Sequence, residues 1–465
     1  MELVSEILYP QYLRSREVST DSRHITSGSI FFALRGDHFD GNRFAADALR
    51  QGAALCVVDD PAAVVDRRCV LVPDVLQTLQ ALARHHREQL AIPVIAVTGT
   101  NGKTTTKELL HAVLQRRFRT HATRGNLNNH IGVPLTLLQM PPETEIAVIE
   151  MGASHPGEID ELCSVAQPNY GLITNVGKAH LEGFGSLQGV VRTKTELYRF
   201  LATVGGTLFV NADNALLMEQ AAALSSLFER PSPLPGIIPN GPADLADWRP
   251  ARGQVLGLPS MVTYGRAAEA DSKGRPVSCD PYMKFCVEEN DRVYSVQSQL
   301  LGRYNFDNAM AAVCVGRHFH VEMFDIKEAI EQYQPHNRRS ELTRTTRNEL
   351  ILDCYNANPS SVAAALDSFD ALSHDRKVVM MGSMKELGST SDKEHRDVVK
   401  RLERGHFERI VLVGDEYRFA SQQGHLWFAT ADEARQHFEA HPIEGCLVLL
   451  KGSNATRMWE IADAL

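Results

Sequence analysis

The sequence predicts an α/β protein of three domains: a small α/β N-terminal domain, a central parallel-sheet domain of the P-loop type, and a C-terminal Rossmann-like domain. The chain has 465 residues, which is about three times the ~150 residues of an ordinary domain. From about residue 92 onward, compact apolar runs alternate with helical patterns, as in parallel sheets covered by helices. A glycine-rich loop, Gly99–Thr105, joins one such run to a helix.

The N-terminal unit is assigned to residues 1–88. Strand signals lie at Ser29–Leu34 and Ala54–Val58, and helical patterns lie at Phe44–Gln51 and Val75–Leu90. Short strands that alternate with helices favour a small sheet with helices packed on it.

The central unit, residues 89–335, begins with the strand that leads into the glycine-rich loop. Its predicted strands are Val94–Val97, Ile146–Glu150, Gly171–Asn175 and Thr207–Val210. A proline-rich stretch from Pro231 to Pro259 is predicted to be an irregular excursion, followed by a β-rich portion at Met261–Val296. Helices at Asn305–His318 and Phe324–Tyr333 are predicted to close the domain.

The C-terminal unit, residues 336–465, begins near His336 and is predicted to contain a second parallel sheet. Its strands are Glu349–Asp353, Lys377–Met381, Arg409–Val413 and Cys446–Leu450. Ligands of such sheets bind beyond the carboxyl ends of the strands. Asp353, Gly382, Gly414 and Lys451 all fall at these ends.

Composition excludes several classes of function. The formal net charge is −9 and the basic residues are scattered, which argues against nucleic-acid binding. The chain shows neither a signal-peptide pattern nor ~18 consecutive apolar residues, so we expect a cytoplasmic protein without membrane insertion. The eight cysteines form no C-x-x-C pair and are expected to be reduced core residues, not zinc ligands. We expect a monomer.

The loop after Val94–Val97 has the chemistry of a nucleotide-binding site for ATP or GTP. Its residues are Gly99, Thr100, Asn101, Gly102, Lys103, Thr104 and Thr105. Glycines let backbone N–H groups point at phosphate oxygens, Lys103 supplies a charge, and Thr104 offers a hydroxyl to Mg²⁺. In the general motif a glycine would stand at Val97, so the first glycine here is two residues late.

Further clusters along the chain resemble one family, the Mur ligases. The matching stretches are Thr20–Arg23, Ser29–Gly36, Gly99–Thr105, Gly125–Asn129, Glu150–Gly152, Asn175–Glu182, Asn211–Asp213 and Tyr355–Pro359. Asp353–Pro359 and Gly382–Gly388 are most similar to the branch that adds a D-Ala-D-Ala dipeptide. Two positions depart from the family pattern: Ser383 stands where aspartate is usual, and Cys354 where a small apolar residue is usual. The D-N-P-R motif of the preceding ligase is absent.

The resemblance implies a reaction and its cofactors. ATP phosphorylates the carboxylate of a UDP-N-acetylmuramoyl-tripeptide, and the amine of D-Ala-D-Ala then displaces phosphate from the acyl phosphate. Both steps handle negative charge, so the protein must supply cations and backbone amides. The resemblance implies two Mg²⁺ ions and domain closure, and assigns UDP binding to the N-terminal domain.

The implied metal ligands are Thr104, Glu150, His180 and a Lys194 carbamylated by CO2. From the residues alone three of them have an alternative: Glu150 as a helix cap, His180 as a packed or surface histidine, and Lys194 as a solvated helical lysine. Glu150 and His180 follow predicted strands, where a carboxylate or imidazole can reach a metal.

The resemblance also implies nucleotide and substrate contacts. Asn305 and Asn308 match residues at adenine, Arg339 one at the γ-phosphate, and Asp353 one that holds the ribose or orients the nucleotide. Both asparagines could instead cap a helix. The catalytic set is Lys103, Lys194, His180 and Arg339. The expected substrate contacts are Ser22, Arg23 and Arg35 for the diphosphate, Asn126, Asn128 and Asn129 for the sugar and peptide, and Asn356 and Lys451 for the dipeptide. The first three could equally be surface or ion-pair residues, and Lys451 could belong to a simple turn.

Two rival functions remain open at this point. One is another Mur-type ligase, either a different step or a folylpolyglutamate synthase, although the latter lacks a UDP-binding first domain. The other is a scaffold that binds ATP without ligating anything. Intact Glu150, His180 and Lys194 argue against the scaffold, since it needs no second metal.

Overall fold

The computed structural model describes residues 3–15, 17–228, 259–335 and 338–465. Most of the proline-rich stretch and the predicted boundary residue His336 lie outside these ranges. Three main sheets, each flanked by helices, form the three predicted units, and a two-stranded hairpin adds to the first of them. In the described residues, no helix combines the length and hydrophobicity needed to cross a membrane.

The N-terminal unit contains a four-stranded parallel sheet in the order β1-β2-β5-β6 and a short hairpin, β3-β4. Its strands are β1 (Val18–Ser19), β2 (Ile30–Phe32), β3 (Arg35–Gly36), β4 (Phe39–Asp40), β5 (Leu55–Val58) and β6 (Cys69–Leu71). Its helices are α1 (Tyr9–Ser15, preceded by a π-helical turn, Val4–Leu8), α2 (Ala45–Gln51) and α3 (Val75–Gln89). The predicted strands and helices of this unit are confirmed.

Helix α3 ties the N-terminal unit to the central one. The Asp74 side chain caps its start by accepting a hydrogen bond from the Gln77 N–H at 2.8 Å. Leu79 and Leu82 on its apolar face share one core with residues of the central helices, including Val133. The N-terminal unit therefore packs against the central unit through a shared apolar core.

The central unit is built on a nine-stranded sheet in the order β15-β14-β13-β12-β11-β10-β7-β9-β8. Its strands are β7 (Val94–Thr98), β8 (Thr120–Ala122), β9 (Ile146–Glu150), β10 (Tyr170–Ile173), β11 (Thr207–Asn211), β12 (Ser260–Gly265), β13 (Ser272–Cys279), β14 (Tyr282–Glu289) and β15 (Arg292–Leu301). The pairs from β8 to β13 are parallel, and β13-β14-β15 is antiparallel. All residues of β7 and β9 are buried, which explains their continuous apolar sequences.

Helices cover both faces of this sheet. They are α4 (Lys103–Leu114), α5 (Gly132–Leu138), α6 (Glu158–Ala166), α7 (Leu181–Phe184), α8 (Leu187–Lys194), α9 (Glu196–Val204), α10 (Ala215–Phe228), α11 (Asn305–His318) and α12 (Met323–Gln332). Helix α4 buries Leu109, Leu110 and Val113 against α11 and the sheet. This burial fixes the loop at the start of α4.

The C-terminal unit has a six-stranded sheet in the order β16-β17-β21-β18-β19-β20, parallel except for the β16-β17 pair. The strands are β16 (Glu341–Arg344), β17 (Glu349–Asp353), β18 (Lys377–Gly382), β19 (Arg409–Val413), β20 (Leu426–Phe428) and β21 (Leu447–Lys451). The helices are α13 (Pro359–Asp370), α14 (Ser391–Leu402), α15 (Arg418–Ser421) and α16 (Ala431–Ala440). Asp353, Gly382 and Lys451 are the last residues of their strands, as predicted.

Candidate active site

A cleft of about 780 Å³ lies between the central and C-terminal units. In the central unit, the described residues that line it come from the loops after β7 and β8, the carboxyl ends of β9 and β10, and helices α6 and α11. In the C-terminal unit they come from the carboxyl edge of the sheet and the start of α13. Most predicted site residues meet here, and they are Thr100, Asn101, Gly102, Lys103, Thr104, Thr105, Asn126, Asn128, Asn129, Glu150, His180, Asn305, Asn308, Arg339, Asp353, Asn356 and Lys451.

The glycine-rich loop needs glycine at two positions. Gly99 has φ +141°, and a Cβ there would lie 2.0 Å from Thr174 Oγ1. Gly102 has φ +80°, and a Cβ there would lie 2.5 Å from Asn308 Oδ1. No side chain caps the first turn of α4, so its N–H groups remain available for an anion.

Lys103 is folded back onto its own loop. Its Nζ donates to Gly99 O at 2.8 Å and to Thr100 O at 3.1 Å. Burial lowers the pKa of Lys103; the Glu150 carboxylate opposes this shift and the Arg339 guanidinium adds to it. Two cations from different units, Lys103 and Arg339, therefore contribute positive potential to the same cleft. Such a potential favours a polyanionic ligand.

The residues around Glu150 fit a magnesium ion. Glu150 is 1% exposed, and its Oε1 accepts hydrogen bonds from Thr104 Oγ1 at 3.2 Å and Asn128 Nδ2 at 2.7 Å. Its Oε2 is buried without a hydrogen-bond partner among the described residues. A hydroxyl and a carboxylate with an unused oxygen are hard ligands of the kind Mg²⁺ prefers. The capping alternative for Glu150 finds no support, because the residue ends a strand.

His180 lines the cleft, whereas Lys194 lies outside its lining. His180 has φ +49° and its Nδ1 contacts Glu386 of the C-terminal unit. Lys194 does not line the cleft; its Nζ donates to Ala153 O at 3.4 Å and lies 5.6 Å from the centre of the Phe184 ring. Across the part of the chain that is described, no three His, Cys, Asp or Glu side chains cluster as metal ligands.

Lys194 is nevertheless not a solvated helical lysine. It is 2% exposed, and burial, assisted by the charge of Lys103, lowers its pKa well below the usual value. A buried lysine with a depressed pKa has a larger neutral fraction, and a neutral amine is the nucleophilic form.

We expect Lys194→Met to raise the stability of the free protein at neutral pH. Because the pKa of Lys194 is lower in the folded chain than in the unfolded one, the unfolded chain binds more protons between the two values. Wild-type stability should therefore rise with pH across that window, up to ~10.4. Thermal unfolding in CO2-free buffer should place the variant above the wild type at pH 7, by about 2–4 °C for each kcal/mol regained.

This difference in unfolding temperature should shrink as the pH approaches the pKa of free lysine, ~10.4. The surface lysine Lys327, which pairs with Glu331, provides the control: Lys327→Met should shift the unfolding temperature little at either pH. A Lys194→Met variant that is no more stable than wild type at pH 7 would contradict the expected penalty.

Asn305 and Asn308 brace the glycine-rich loop. Asn308 Nδ2 donates to Asn305 Oδ1 at 2.8 Å, and Thr106 Oγ1 donates to Asn308 Oδ1 at 3.1 Å. Asn305 Nδ2 in turn donates to Leu301 O at 2.7 Å. Tyr304 is the residue before α11 and its side chain makes no capping bond, so the capping alternative for the two asparagines is wrong.

The three asparagines after β8 have different surroundings. Asn128 donates to Glu150, as described above, whereas Asn129 Oδ1 accepts from Ile131 N and Gly132 N at 3.2 and 2.8 Å. Asn129 thus holds the start of α5. Asn126 lines the cleft.

The C-terminal unit contributes a cationic edge. The Arg339 guanidinium lies 3.8 Å from the Tyr355 ring centre, and its Nε is buried with no partner among the residues described. Lys451 is 1% exposed; its Nζ donates to Asp353 Oδ2 at 2.7 Å and to Asn356 O at 3.3 Å. Lys451 is thus part of a buried ion pair and not a simple strand-end turn.

Ser22, Arg23 and Arg35 lie apart from the cleft, on the N-terminal unit. Arg23 pairs with Asp21 at 2.7 Å and is mostly exposed, and Arg35 Nε contacts Asp59 at 2.8 Å. Both arginines therefore have local carboxylate partners in this structure.

The two departures from the family pattern have structural roles. Ser383 is 1% exposed and its Oγ donates to Val413 O at 3.3 Å. Cys354 Sγ donates to Leu450 O at 3.1 Å, and burial raises the pKa of its thiol to about 12. Neither side chain lines the cleft.

Sequence reasoning missed two contacts that join the central and C-terminal units. Asn358 contacts Asn101, and Lys178 pairs with Glu394. Only the capping box of Asn358 and Ser361 was readable in the sequence, as an Asn-Pro pair followed by serine.

Three family models together cover most of the chain. Residues 15–94 match Mur ligase family, catalytic domain; residues 97–230 match Mur ligase middle domain; and residues 338–454 match Mur ligase, glutamate ligase domain. The UDP-N-acetylmuramoyl-tripeptide–D-alanyl-D-alanine ligase of Bacillus subtilis (strain 168) is 31% identical, over 98% of this chain and 94% of its own. The chain belongs to the Mur ligase family.

Solved structures extend this similarity to three dimensions. The crystal structure of MurF from Acinetobacter baumannii has 31% identity and a TM-score of 0.80 to this Mur ligase, covering 96% of this chain and 93% of that one. MurF ligase from Thermotoga maritima in complex with ADP has 25% identity and a TM-score of 0.79, covering 97% of both chains. The predicted α/β fold with three domains is therefore confirmed; the residue boundaries between the domains stay predictions.

Proposed function

We propose that this Mur ligase is an ATP-dependent amide ligase that adds D-Ala-D-Ala to UDP-N-acetylmuramoyl-tripeptide in peptidoglycan precursor synthesis. The observation that carries the proposal is that Lys103 of the phosphate loop and Arg339 of the C-terminal unit line the same cleft. The two substrates are proposed from the names of similar proteins, which are UDP-N-acetylmuramoyl-tripeptide–D-alanyl-D-alanine ligases.

The first chemical step uses the two cations. The tripeptide carboxylate attacks the γ-phosphorus of ATP, the bond to the β-phosphate oxygen breaks, and ADP leaves. Lys103 and the N–H groups at the start of α4 stabilise the charge on the phosphate oxygens from one side, and Arg339 does so from the other. Thr104 and Glu150 would hold Mg²⁺, which neutralises phosphate charge when bound.

The second step forms the amide. The neutral amine of D-Ala-D-Ala attacks the acyl carbon, inorganic phosphate leaves, and the amine loses its proton. Lys451 and Asn356 lie at the carboxyl edge of the third sheet, next to the incoming dipeptide in this proposal. Lys451 would hold the dipeptide carboxylate, and its ion pair with Asp353 keeps the Nζ oriented.

The remaining contacts follow from position. Asn305 and Asn308 would face adenine, and Asp353 the ribose. Asn126, Asn128 and Asn129 would contact the sugar and peptide on the side nearest Glu150. The UDP end would lie on the N-terminal unit near Ser22, Arg23 and Arg35, where each arginine would have to exchange its carboxylate partner for phosphate oxygens.

A second Mg²⁺ would require carbamylation of Lys194, with His180 as the other ligand. The neutral amine attacks CO2, loses a proton and becomes a carbamate, so that a cation turns into an oxygen ligand. The burial and lowered pKa of Lys194 support this proposal. His180 would first have to leave Glu386.

The carbamate has a direct spectroscopic test. We expect protein equilibrated with ¹³C-bicarbonate and Mg²⁺ to give one carbamate carbonyl resonance that disappears in Lys194→Met. Lys107 provides the comparison, because it is equally buried but is paired with Glu108 at 2.7 Å. A signal that survives in Lys194→Met but is lost in Lys107→Met would contradict the assignment.

The proposed reaction is tested by phosphate release. We expect release from ATP that requires both UDP-N-acetylmuramoyl-tripeptide and D-Ala-D-Ala, with a heavier UDP product by mass spectrometry. Release that depends on a single amino acid, or on folate and glutamate, would favour another Mur-type ligase. If no acceptor stimulates release, the chain is a nucleotide-binding scaffold. A monomeric state and a cytoplasmic location stay predictions.

A further inference from the structure

Asn358, the residue that caps α13, joins the C-terminal unit to the phosphate loop. Asn358, which is 5% exposed, uses both ends of its amide. Its Oδ1 accepts from Ser361 N at 2.9 Å and so caps its own helix. Its Nδ2 donates to Asn101 Oδ1 at 2.8 Å, across 257 positions of sequence. The Asn358 side chain thus forms hydrogen bonds with residues of both units.

The backbone of Asn101 is held by the central unit, which leaves its side chain for this contact. Asn101 N donates to Asn175 Oδ1 at 3.0 Å, and Asn101 O accepts from Asn175 Nδ2 at 3.0 Å and from Thr174 Oγ1 at 2.6 Å. The loop after β10 therefore holds the Asn101 backbone in place, and Asn358 forms its hydrogen bond with the Asn101 side chain.

A second contact lies beside the first. Ser360 Oγ accepts from Lys178 N at 3.0 Å and occupies a notch at Gly177, where a Cβ would lie 2.6 Å from that oxygen. Gly177 N in turn donates to Thr100 Oγ1 at 3.0 Å. The start of α13, the loop after β10 and the phosphate loop thus form one hydrogen-bonded unit.

We propose that Asn358 is a positioning residue for phosphoryl transfer: its amide couples the seating of the C-terminal unit to Asn101, so that the phosphate loop and Arg339 reach their reactive arrangement together. The inference rests on the proposed ligase reaction. Lys103 and Arg339 lie on separate units, and a misplacement of ~1 Å between reacting groups can cost about 10²-fold in rate.

Two substitutions separate this role from helix capping. Asn358→Ser keeps a capping oxygen but is too short to reach Asn101, whereas Asn358→Ala loses both bonds. We expect kcat to fall about tenfold in both variants, the equivalent of one lost hydrogen bond of ~1.4 kcal/mol. Only Asn358→Ala should also unfold at a lower temperature. A serine variant with wild-type kcat would overturn the inference.

A double-mutant cycle tests the contact itself. Asn101→Ala removes the acceptor of the Asn358 amide, and we expect the double variant Asn101→Ala with Asn358→Ser to be no more than about twofold slower than the slower single variant. If instead the two losses multiply, the residues act independently and the coupling is refuted.

A matched control comes from another capped helix of the same unit. The Thr430 side chain caps α16 by accepting from Glu433 N at 3.2 Å, and Thr430 does not line the cleft. Thr430→Ala should lower the unfolding temperature and leave kcat unchanged. If wild type itself shows no dipeptide-dependent phosphate release, the proposed function fails; if wild type is active and Asn358→Ser equals it, only the present inference fails.

Discussion

Lys103→Met is expected to reduce the kcat of dipeptide-dependent phosphate release by about 10³-fold, because it removes the charge that faces the transferred phosphate while keeping the length of the side chain. In the free structure the Nζ is satisfied by Gly99 O and Thr100 O. These carbonyls are backbone atoms and lose one partner each in the variant. The measurement is a steady-state phosphate assay at saturating ATP.

Two comparisons make this result specific. Lys103→Arg keeps the charge but not the compact ammonium group, so most of the loss should remain. Lys327→Met removes a lysine from a surface pair of the same unit and should retain wild-type kcat. Full activity of Lys103→Met would show that the loop does not bind the reacting phosphate.

Lys451→Met is expected to destabilise the protein by about 3–5 kcal/mol, because it leaves the Asp353 carboxylate without its partner. Lys451 is 1% exposed on its side chain and Asp353 17%, and the two atoms are 2.7 Å apart. The Asn356 carbonyl loses a donor as well. The measurement is the urea midpoint of the transition of the C-terminal unit in the full chain.

The matched variants depend on burial. Lys385 and Glu416 form an ion pair on the same unit with side chains 46% and 26% exposed, so Lys385→Met should cost no more than ~1 kcal/mol. The double variant Lys451→Met with Asp353→Asn should regain part of the lost stability, since it removes the unpaired charge. Equal losses at Lys451 and Lys385 would refute the burial argument.

Much of the fold was predictable because its signals are local. The central strands β7 and β9 are buried on both faces and therefore read as apolar runs. The edge strands β16 and β20 were missed: β16 is short and mostly polar, and β20 is an apolar run of only three half-buried residues, too short for its period to be recognised. The predicted helix Asn305–His318 has the bounds of α11.

The candidate site was predictable to the level of individual elements. The phosphate loop, Glu150 at the end of β9 and Lys451 at the end of β21 follow from strand ends and from the family resemblance. The hydrogen-bond partners of these residues could not be predicted from the sequence. Asn128 donates to Glu150 and Lys451 donates to Asp353, and each bond joins different strand or loop segments.

The three α/β units, the phosphate loop and the family could be recognised from sequence, because each depends on short stretches whose hydrophobic period, glycine positions and residue types act locally. How the units meet became visible in the three-dimensional structure. It set Asn358 on Asn101 and His180 against Glu386, and it buried Lys194 beneath the cleft wall. Such contacts depend on how whole sheets and helices pack, and packing brings together residues that no local pattern links.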